Sequence, residues 1–320
     1  MQKLLWVIIL SIGCFFKSIA QEDQPTQDST LQKKENHSYF KARLGYLSNN
    51  VYNGRKDSLV IPYITPTLEY FHKSGLFAKV SASYLASSYA QRIDLYQVEA
   101  GYQFMMNNSF SGSIGASKPF YNTSSVSVQS ETMGMLNGGF SWDIANAISL
   151  NMTAGYIFTT GTADKFFNAA LSHEFVFGKN DEWSIEPAAT VTFSTQNYYE
   201  QYANNRRFKM GKIKKRKDPT ITNTGNQRIV ETTTITTLNA NKLSMMDSEL
   251  SLSLYHDAGK WSWFATPIFA IPTNAATYVT TIDTDKTLLN GITTHSSRSE
   301  FSTETISNTF YIEAGVSYRF

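Results

Sequence analysis

The last eleven residues of the chain alternate strictly between apolar and polar side chains. Counting back from the carboxyl terminus, every second residue is apolar: Phe320, Tyr318, Val316, Ala314, Ile312 and Phe310. The residues between them include Arg319, Ser317 and Glu313. Because successive side chains of a β-strand point to opposite faces, this period of two predicts a strand with one apolar and one polar face.

An apolar-faced strand that ends on an aromatic residue resembles the terminal strand of outer-membrane β-barrel proteins, whose last residue is typically Phe. The resemblance is to a broad class rather than to one characterised family. It implies a barrel with lipid outside and water inside. It also implies that Phe320 is the assembly signal, read by the barrel-assembly machinery.

The amino terminus has the three parts of a secretory signal peptide. Lys3 supplies the positive charge, residues 4–16 an apolar stretch, and Ser18-Ile19-Ala20 a small-x-small cleavage site, so we expect cleavage after Ala20. A lipoprotein signal ending before Cys14 is an alternative, and a buried amino-terminal helix is another. Cys14 is the only cysteine, so cleavage at Ala20 leaves a mature chain without disulfides.

The remainder predicts an all-β fold. Residues 21–37 are polar and are expected to form a disordered periplasmic tail. From residue 38 onward, twelve segments with period-two patterning are joined by alternately short and long connections, and aromatic residues gather at the strand ends. This predicts a transmembrane antiparallel up-and-down β-barrel over residues 38–320, with ten or fourteen strands as alternatives to twelve. A soluble β-sandwich also alternates, but it needs neither membrane-length strands nor aromatics at both ends.

The same sequence pattern excludes another membrane architecture and predicts some details of the loops and strands. No later stretch of 18 apolar residues exists in the sequence, which excludes a helical membrane protein. We expect long outer loops at 195–242 and 273–305, and both termini on the periplasmic side. Pro66, Pro187 and Pro267 fall inside predicted strands, where we expect bulges or shifted strand boundaries. The facing of the eighth and eleventh strands stays open.

The polar faces of the predicted strands carry charged residues. A charge on the lipid side of a barrel costs roughly 2–4 kcal/mol at the midplane, so these residues are expected to face the lumen. Either they fill the lumen with salt bridges, or they line a pore that selects solutes. The predicted lumen residues are Lys41, Arg43, Glu69, Lys79, Glu99, Glu174, Glu186, Glu249, Glu313 and Arg319.

The first long loop contains a strongly basic run. Eight of the twelve residues from 206 to 217 are basic and none is acidic. Such a run either binds an anionic partner, such as lipopolysaccharide or another anionic surface polymer, or is a solvated flexible loop. No nucleic-acid-binding motif accompanies it, so no specific nucleic acid is expected. The candidate residues are Arg206, Arg207, Lys209, Lys212, Lys214, Lys215, Arg216 and Lys217.

Catalytic signals in the sequence are weak. Ser172-His173 lie next to each other on a predicted strand and therefore point to opposite faces. The pair in His295-Ser296-Ser297 lies in a Thr/Ser-rich segment, where such neighbours arise by chance. The five histidines show no metal-ligand spacing, so no metal, cofactor or catalytic residue is predicted.

The sequence thus predicts a narrow, passive, porin-like channel for small polar solutes in a Gram-negative outer membrane. The alternative is a non-channel surface, adhesion or structural barrel that binds anionic polymers through its basic loop. An outer-membrane lipid hydrolase is a lesser alternative.

Overall fold

A computed structural model describes residues 37–320, except 57–59, 89, 126, 146, 200–206, 210–211, 215–219, 225–226 and 289. The predicted signal peptide and nearly all of the predicted tail lie outside these residues. The described strands are, in chain order, β1 (Tyr39–Leu47), β2 (Val51–Tyr52), β3 (Arg55–Lys56), β4 (Tyr63–Phe71), β5 (Leu76–Ala86), β6 (Gln91–Asn107), β7 (Phe110–Tyr121), β8 (Thr132–Ile144), β9 (Ile148–Thr159), β10 (Asp164–Ser172), β11 (Phe175–Phe177), β12 (Trp183–Ser194), β13 (Arg207–Lys209), β14 (Lys212–Lys214), β15 (Thr220–Thr224), β16 (Gln227–Thr237), β17 (Ser244–Ala258), β18 (Trp261–Pro272), β19 (Thr277–Leu288), β20 (Thr293–Thr303) and β21 (Thr309–Arg319).

Most of these strands form one antiparallel sheet that closes on itself. Its order is β10-β9-β8-β7-β6-β5-β4-β1-β21-β18-β17-β12-β11, and β10 also pairs with β12. β10 and β11 lie along the same side of β12 in one register, so they act as a single interrupted strand. The described residues therefore form a closed barrel of twelve antiparallel strands, which confirms the predicted fold. Within the same residues, no helix is long and apolar enough to cross a membrane.

The two ends of the barrel differ in their connections. At one end, here called the short-turn end, the connections are residues 72–75, 108–109, 145–147, 178–182 and 259–260. At the opposite, long-loop end, they include residues 48–62, 122–131, 195–243 and 273–308. β1 begins at the short-turn end and β21 ends there, with Lys41 opposite Arg319.

The outward face of the barrel is mostly apolar. Its middle carries exposed aliphatic side chains, including Leu44, Leu68, Val80, Val98, Ile114 and Leu136. Exposed aromatics at the short-turn end include Phe40, Trp142, Phe175, Trp261 and Phe320. Those at the long-loop end include Tyr46, Tyr84, Tyr96, Phe120, Tyr156 and Phe310. An aliphatic band between two aromatic girdles is the outer surface that a barrel presents to lipid.

The structure settles the facing of the two strands that the sequence left open. On β10, Asp164, Phe166 and Asn168 are buried, whereas Lys165 between them is exposed. On β18, Trp261 lies on the lipid side, opposite Tyr318 of β21. Both strands therefore follow the same in–out alternation as their neighbours.

The three strand prolines are accommodated without bulges. The β4–β5 ladder has no partner for Pro66, the break between β10 and β11 faces Pro187, and the β17–β18 ladder has none for Pro267. The register is the same on both sides of each gap. The expectation of a bulge or a shifted boundary is therefore wrong: the missing N–H interrupts one ladder and leaves the strand in place.

The two segments predicted as long loops contain a second sheet. β15, β16, β19 and β20 pair in that order and form what we call the outer sheet, and β13 pairs separately with β14. Ile235 and Thr237 of β16 are buried, whereas every residue of β20 is exposed. The long-loop end therefore carries ordered strands that stand outside the barrel sheet.

Candidate functional site

A row of charged side chains crosses one wall of the lumen. The register of β21, β1, β4, β5 and β6 places next to one another, in this order, Arg319, Lys41, Glu69, Lys79 and Glu99. We call these five residues the charge ladder. Directly opposite residues of antiparallel strands have Cβ atoms about 4.5–5.5 Å apart, close enough for oppositely charged neighbours to attract.

Lys79 is the most enclosed cation of the charge ladder. Its side chain is 7% exposed, and its Nζ lies 3.7 Å from Oε1 of Glu99. The same Nζ lies 4.9 Å from the centre of the Phe77 ring. Because a buried ammonium is costly without a charged partner, Glu99 and the aromatic ring together stabilise this position.

A second ion pair lies next to the charge ladder. Nη2 of Arg43, two residues beyond Lys41 on β1, lies 3.3 Å from Oε1 of Glu313 on β21. The Arg43 guanidinium also lies 4.8 Å from the centre of the Phe264 ring on β18. Seven of the ten predicted lumen residues therefore lie together on one wall.

The other three predicted lumen residues lie elsewhere. Glu249 on β17 accepts a hydrogen bond of 2.9 Å from the Tyr311 hydroxyl. Glu186 is buried on β12, and Glu174 lies at the break between β10 and β11. These carboxylates belong to the side of the barrel formed by β10, β12 and β17, so the predicted set is divided between two walls.

A short hairpin is buried at the long-loop end of the barrel. β2 and β3 pair through Val51 with Lys56 and Tyr52 with Arg55, and we call residues 51–56 the mouth hairpin. Val51, Tyr52 and Asn53 are 2%, 4% and 1% exposed, the burial expected of core residues. The sequence pattern predicts a loop for this segment, so the hairpin is a correction to that prediction.

The turn of the mouth hairpin carries a local sequence signal, the Asn53-Gly54 pair. Asn53 and Gly54 have φ angles of 51° and 73°, the left-handed values that a two-residue type I′ turn requires. An Asn-Gly pair is a strong signal for a hairpin turn of this kind. What the pair does not reveal is that the hairpin points into the barrel.

The mouth hairpin touches the wall of the barrel directly. Val51 packs against Ile268 of β18 and Tyr311 of β21. A Cβ atom added to Gly54 would lie 2.6 Å from the Cβ of Asp247 on β17. Because only a glycine fits that approach, the turn is seated against β17.

On another side, the mouth hairpin contacts Tyr198. The Tyr52 and Tyr198 rings meet edge to face, 4.7 Å apart, and the Asn53 amide donates to the Tyr198 hydroxyl at 3.2 Å. Burial raises the pKa of the Tyr198 hydroxyl, which keeps it protonated. This neutral contact joins the loop after β1 to the loop after β12.

Asp164 holds the segment that carries Tyr198. Its carboxylate accepts hydrogen bonds from the Thr195 hydroxyl at 2.6 Å and from the backbone amides of Asn197 and Tyr198, both at 2.8 Å. A carboxylate that accepts several hydrogen bonds fixes the backbone it binds. Asp164 thus positions Tyr198 over the lumen, although no sequence motif identified it.

Arg55 is the buried cation of the mouth hairpin. Its Nε lies 3.0 Å from Oε2 of Glu304, and its other nitrogens donate to the carbonyl oxygens of Asn53, at 2.9 Å, and of Asn274. Burial lowers the pKa of Arg55, but its electrostatic interactions with Tyr198, Glu304 and Tyr199 together raise it by more, so the net shift is upward. Arg55 is therefore a permanent cation.

Tyr199 completes this group. Its hydroxyl donates to Oε1 of Glu304, and burial raises its pKa well above the ordinary value. The Glu304 carboxylate also accepts a hydrogen bond of 3.1 Å from the backbone amide of Ala276. Arg55, Tyr199 and Glu304 thus join three loops of the long-loop end.

The base of the mouth hairpin is fixed on the opposite side. The Asn50 amide donates to the Ser127 hydroxyl at 3.2 Å. Asp94, which is fully buried, accepts from the Ser125 hydroxyl at 2.6 Å and the Tyr63 hydroxyl at 2.8 Å. The loop after β7 therefore supports the hairpin from the β6–β7 side.

The two Ser–His neighbours noted in the sequence lie in different surroundings. Ser172 is buried, whereas His173 on the next position bonds to the carbonyl of Ala147. His295 lies in the outer sheet, with its Nδ1 2.5 Å from Oδ1 of Asp285. In the part of the chain that is described, no group of three or more His, Cys, Asp or Glu could hold a metal ion.

The basic run falls partly on a small hairpin. β13 and β14 pair Arg207 with Lys214 and Lys209 with Lys212, so the register puts basic residues in two opposite pairs. The remaining candidates lie outside the described residues: Arg206, Lys215, Arg216 and Lys217.

Phe320 lies on the lipid side at the short-turn end. It is 64% exposed, and its amide donates to the carbonyl of Phe40 at 2.9 Å. Its ring meets that of Tyr318 edge to face, at 5.0 Å. Phe320 therefore belongs to the aromatic girdle of this end.

A closed barrel with an apolar outer band, aromatic girdles and a charged interior is a β-barrel of the outer-membrane class. No family model matches the chain, and no curated protein matches it. Among solved structures, it is similar to the KdgM porin (10% identity, TM-score 0.40, 88% of this chain and 98% of that chain). It is also similar to the NanC porin (11% identity, TM-score 0.45, 87% and 98%) and to BamA from Haemophilus ducreyi (10% identity, TM-score 0.35, 89% and 71%). Because all three TM-scores are below 0.5, these likenesses support no conclusion about activity or solute.

Proposed function

We propose that this chain is a narrow, passive, porin-like channel for small polar solutes. The observation that carries the proposal is the charge ladder, which faces the interior of a barrel whose outside is apolar. Charged side chains in a lumen set which solutes enter and how easily they leave. The adjacent Arg43–Glu313 pair, at 3.3 Å, adds a further polar position on the same wall.

We propose that the barrel lies in the outer membrane with its short-turn end in the periplasm. Outer-membrane barrels have short periplasmic turns and longer outer loops, which matches the difference between the two ends. In this orientation both ends of the barrel domain, near Tyr39 and Phe320, are periplasmic. Cleavage of a signal peptide near Ala20 and contact of Phe320 with the barrel-assembly machinery belong to the same proposal.

Planar-bilayer recording tests the channel. The purified barrel should give discrete current steps, and Glu99→Gln or Glu313→Gln should shift the ion preference toward anions because each removes a negative charge from the lumen. Glu231→Gln, in the exposed part of β16, is the control and should leave the preference unchanged. Absence of current from folded protein would refute the proposal.

A second candidate function is binding of anionic polymers or lipopolysaccharide by the basic run. The observation that favours it is the pairing of Arg207 with Lys214 and of Lys209 with Lys212. Like charges directly opposite are destabilising unless an anion lies near them. Deletion of residues 206–217 should abolish salt-sensitive binding of lipopolysaccharide, and unchanged binding would reject this function.

A further inference from the structure

The mouth hairpin contacts several sides of the lumen at once. Its neighbours come from three barrel strands, β17, β18 and β21, and from the loops that contain Ser127, Tyr198 and Glu304. Its own residues have the burial of a core. A solute that enters from the long-loop end therefore meets the hairpin before it reaches the charge ladder.

The contacts of the mouth hairpin are mostly polar. Val51 packs on Ile268 and Tyr311, but the other contacts named above are neutral hydrogen bonds, ring contacts and one ion pair. Neutral hydrogen bonds are exchanged for bonds to water when a segment leaves its site, so each contributes little net stability. The Arg55–Glu304 pair is the one ion pair among these contacts.

Arg55 and Glu304 differ from the neutral contacts. The Arg55 and Glu304 side chains are 6% and 14% exposed, and the guanidinium is also bonded to the carbonyl oxygens of Asn53 and Asn274. Removing one partner of a buried ion pair leaves an uncompensated charge and is strongly destabilising, whereas neutralising both is much less so. The pair therefore favours the seated hairpin only while both charges are present.

From these contacts we infer that the mouth hairpin sets the size limit of the channel, and that the Arg55–Glu304 pair determines how much of the time it is seated. This inference rests on the proposed channel function. Arg55 is a positioning residue: it acts through the hairpin, and the solutes admitted are those that pass when the hairpin moves aside.

Single-channel recording of four proteins tests the inference: the intact barrel, Glu304→Gln, Arg55→Gln/Glu304→Gln, and a variant with residues 51–56 replaced by Gly-Gly. The replacement should give a permanently larger conductance. Glu304→Gln should raise the ratio of open to closed time at least about tenfold, since it leaves Arg55 without its anion. The double variant should return toward the intact ratio, because two neutral amides can still hydrogen-bond.

The possible outcomes distinguish a failure of the hairpin inference from a failure of the channel proposal. If the intact protein conducts and Glu304→Gln and the Gly-Gly replacement behave like it, the channel stands and the inference fails. If no variant conducts, both fail. A gel shift between unheated and heated samples shows that each variant is folded. If the Gly-Gly replacement does not fold, the open-to-closed ratio of Glu304→Gln alone tests the inference. Rescue by the double variant distinguishes the ion pair from a general loosening of the loops.

Discussion

At the scale of single residues, glycines opposite phenylalanines shape the barrel wall. Phe77 lies opposite Gly101, Phe166 opposite Gly155, and Phe264 opposite Gly315. In each pair the ring occupies the space where a glycine Cβ would stand, within 2.5–2.7 Å of it. Large inward rings can therefore lie flat against the wall instead of crossing the lumen.

Gly101→Ala tests this packing. The added Cβ would lie 2.3 Å from the Ile114 carbonyl oxygen and 2.5 Å from the Phe77 ring, so we expect a loss of about 1–3 kcal/mol in unfolding free energy. Gly45→Ala is the control, because its nearest contact is the Thr65 carbonyl oxygen at 3.6 Å. Urea titration in lipid vesicles measures both, and equal stability of the two variants would contradict the packing argument.

His295 offers a second test at this scale. Its hydrogen bond to Asp285 and the charge of that carboxylate raise its pKa above the ordinary 6.5. A raised histidine pKa means that the favourable contact is fully present below the ordinary pKa and is lost as pH rises through the raised value. NMR titration should give a midpoint above 6.5 that falls in Asp285→Asn, and an identical midpoint in both proteins would contradict the pairing.

At the scale of elements, the mouth hairpin depends on a segment far away in the chain. Tyr198 contacts Asn53 across 145 residues, and Asp164 fixes the backbone of Tyr198. Asp164→Ala removes an acceptor of three hydrogen bonds, each contributing about 0.5–1.5 kcal/mol net and more when charged. Without these hydrogen bonds the segment that carries Tyr198 should become more mobile, and the hairpin should lose its support on that side.

Hydrogen exchange measures that coupling. In Asp164→Ala, the amides of Asn197 and Tyr198 and of the mouth hairpin should exchange faster, while those in the β4–β5 ladder should not change. Asp143→Ala is the control, because Asp143 accepts from Ser149 at the short-turn end. Unchanged exchange in the hairpin would show that it does not depend on Asp164.

Sequence patterns predicted the elements that have a repeating side-chain period. β1 and β21 alternate over at least nine residues, so their lipid and lumen faces, and with them Lys41 and Glu313, follow from spacing alone. The mouth hairpin has only two residues in each strand, too few for a period to appear. Its burial arises from contacts such as Asn53 with Tyr198, which no local pattern encodes.

The outer sheet escaped prediction for a different reason. β19 and β20 consist mainly of hydroxyl-bearing and charged residues, with few apolar ones, so neither face stands out as a core side. Cross-strand hydroxyl pairs, such as Thr281 with Ser299 at 3.2 Å, accompany the backbone ladder instead. The sequence marked these segments as polar but did not reveal that they pair.

At the scale of the whole molecule, the charge ladder and the mouth hairpin lie at different heights of the barrel. The charge ladder lies toward the short-turn end, and the mouth hairpin lies at the long-loop end. The charged side chains of the ladder face the lumen, while the apolar band and the aromatic girdles face lipid. A twelve-strand barrel lies between small barrels filled by side chains and wide porins, so in the proposed channel the hairpin would limit what can pass.

The most direct test of this account is the swelling of proteoliposomes in neutral sugars of graded size. With the intact barrel, we expect entry of monosaccharides that falls steeply for disaccharides and larger sugars, because the passage is narrow. With residues 51–56 replaced by Gly-Gly, the limit should move to larger sugars. If folded protein of both kinds admits no sugar at all, the chain is not a passive channel and the account is contradicted.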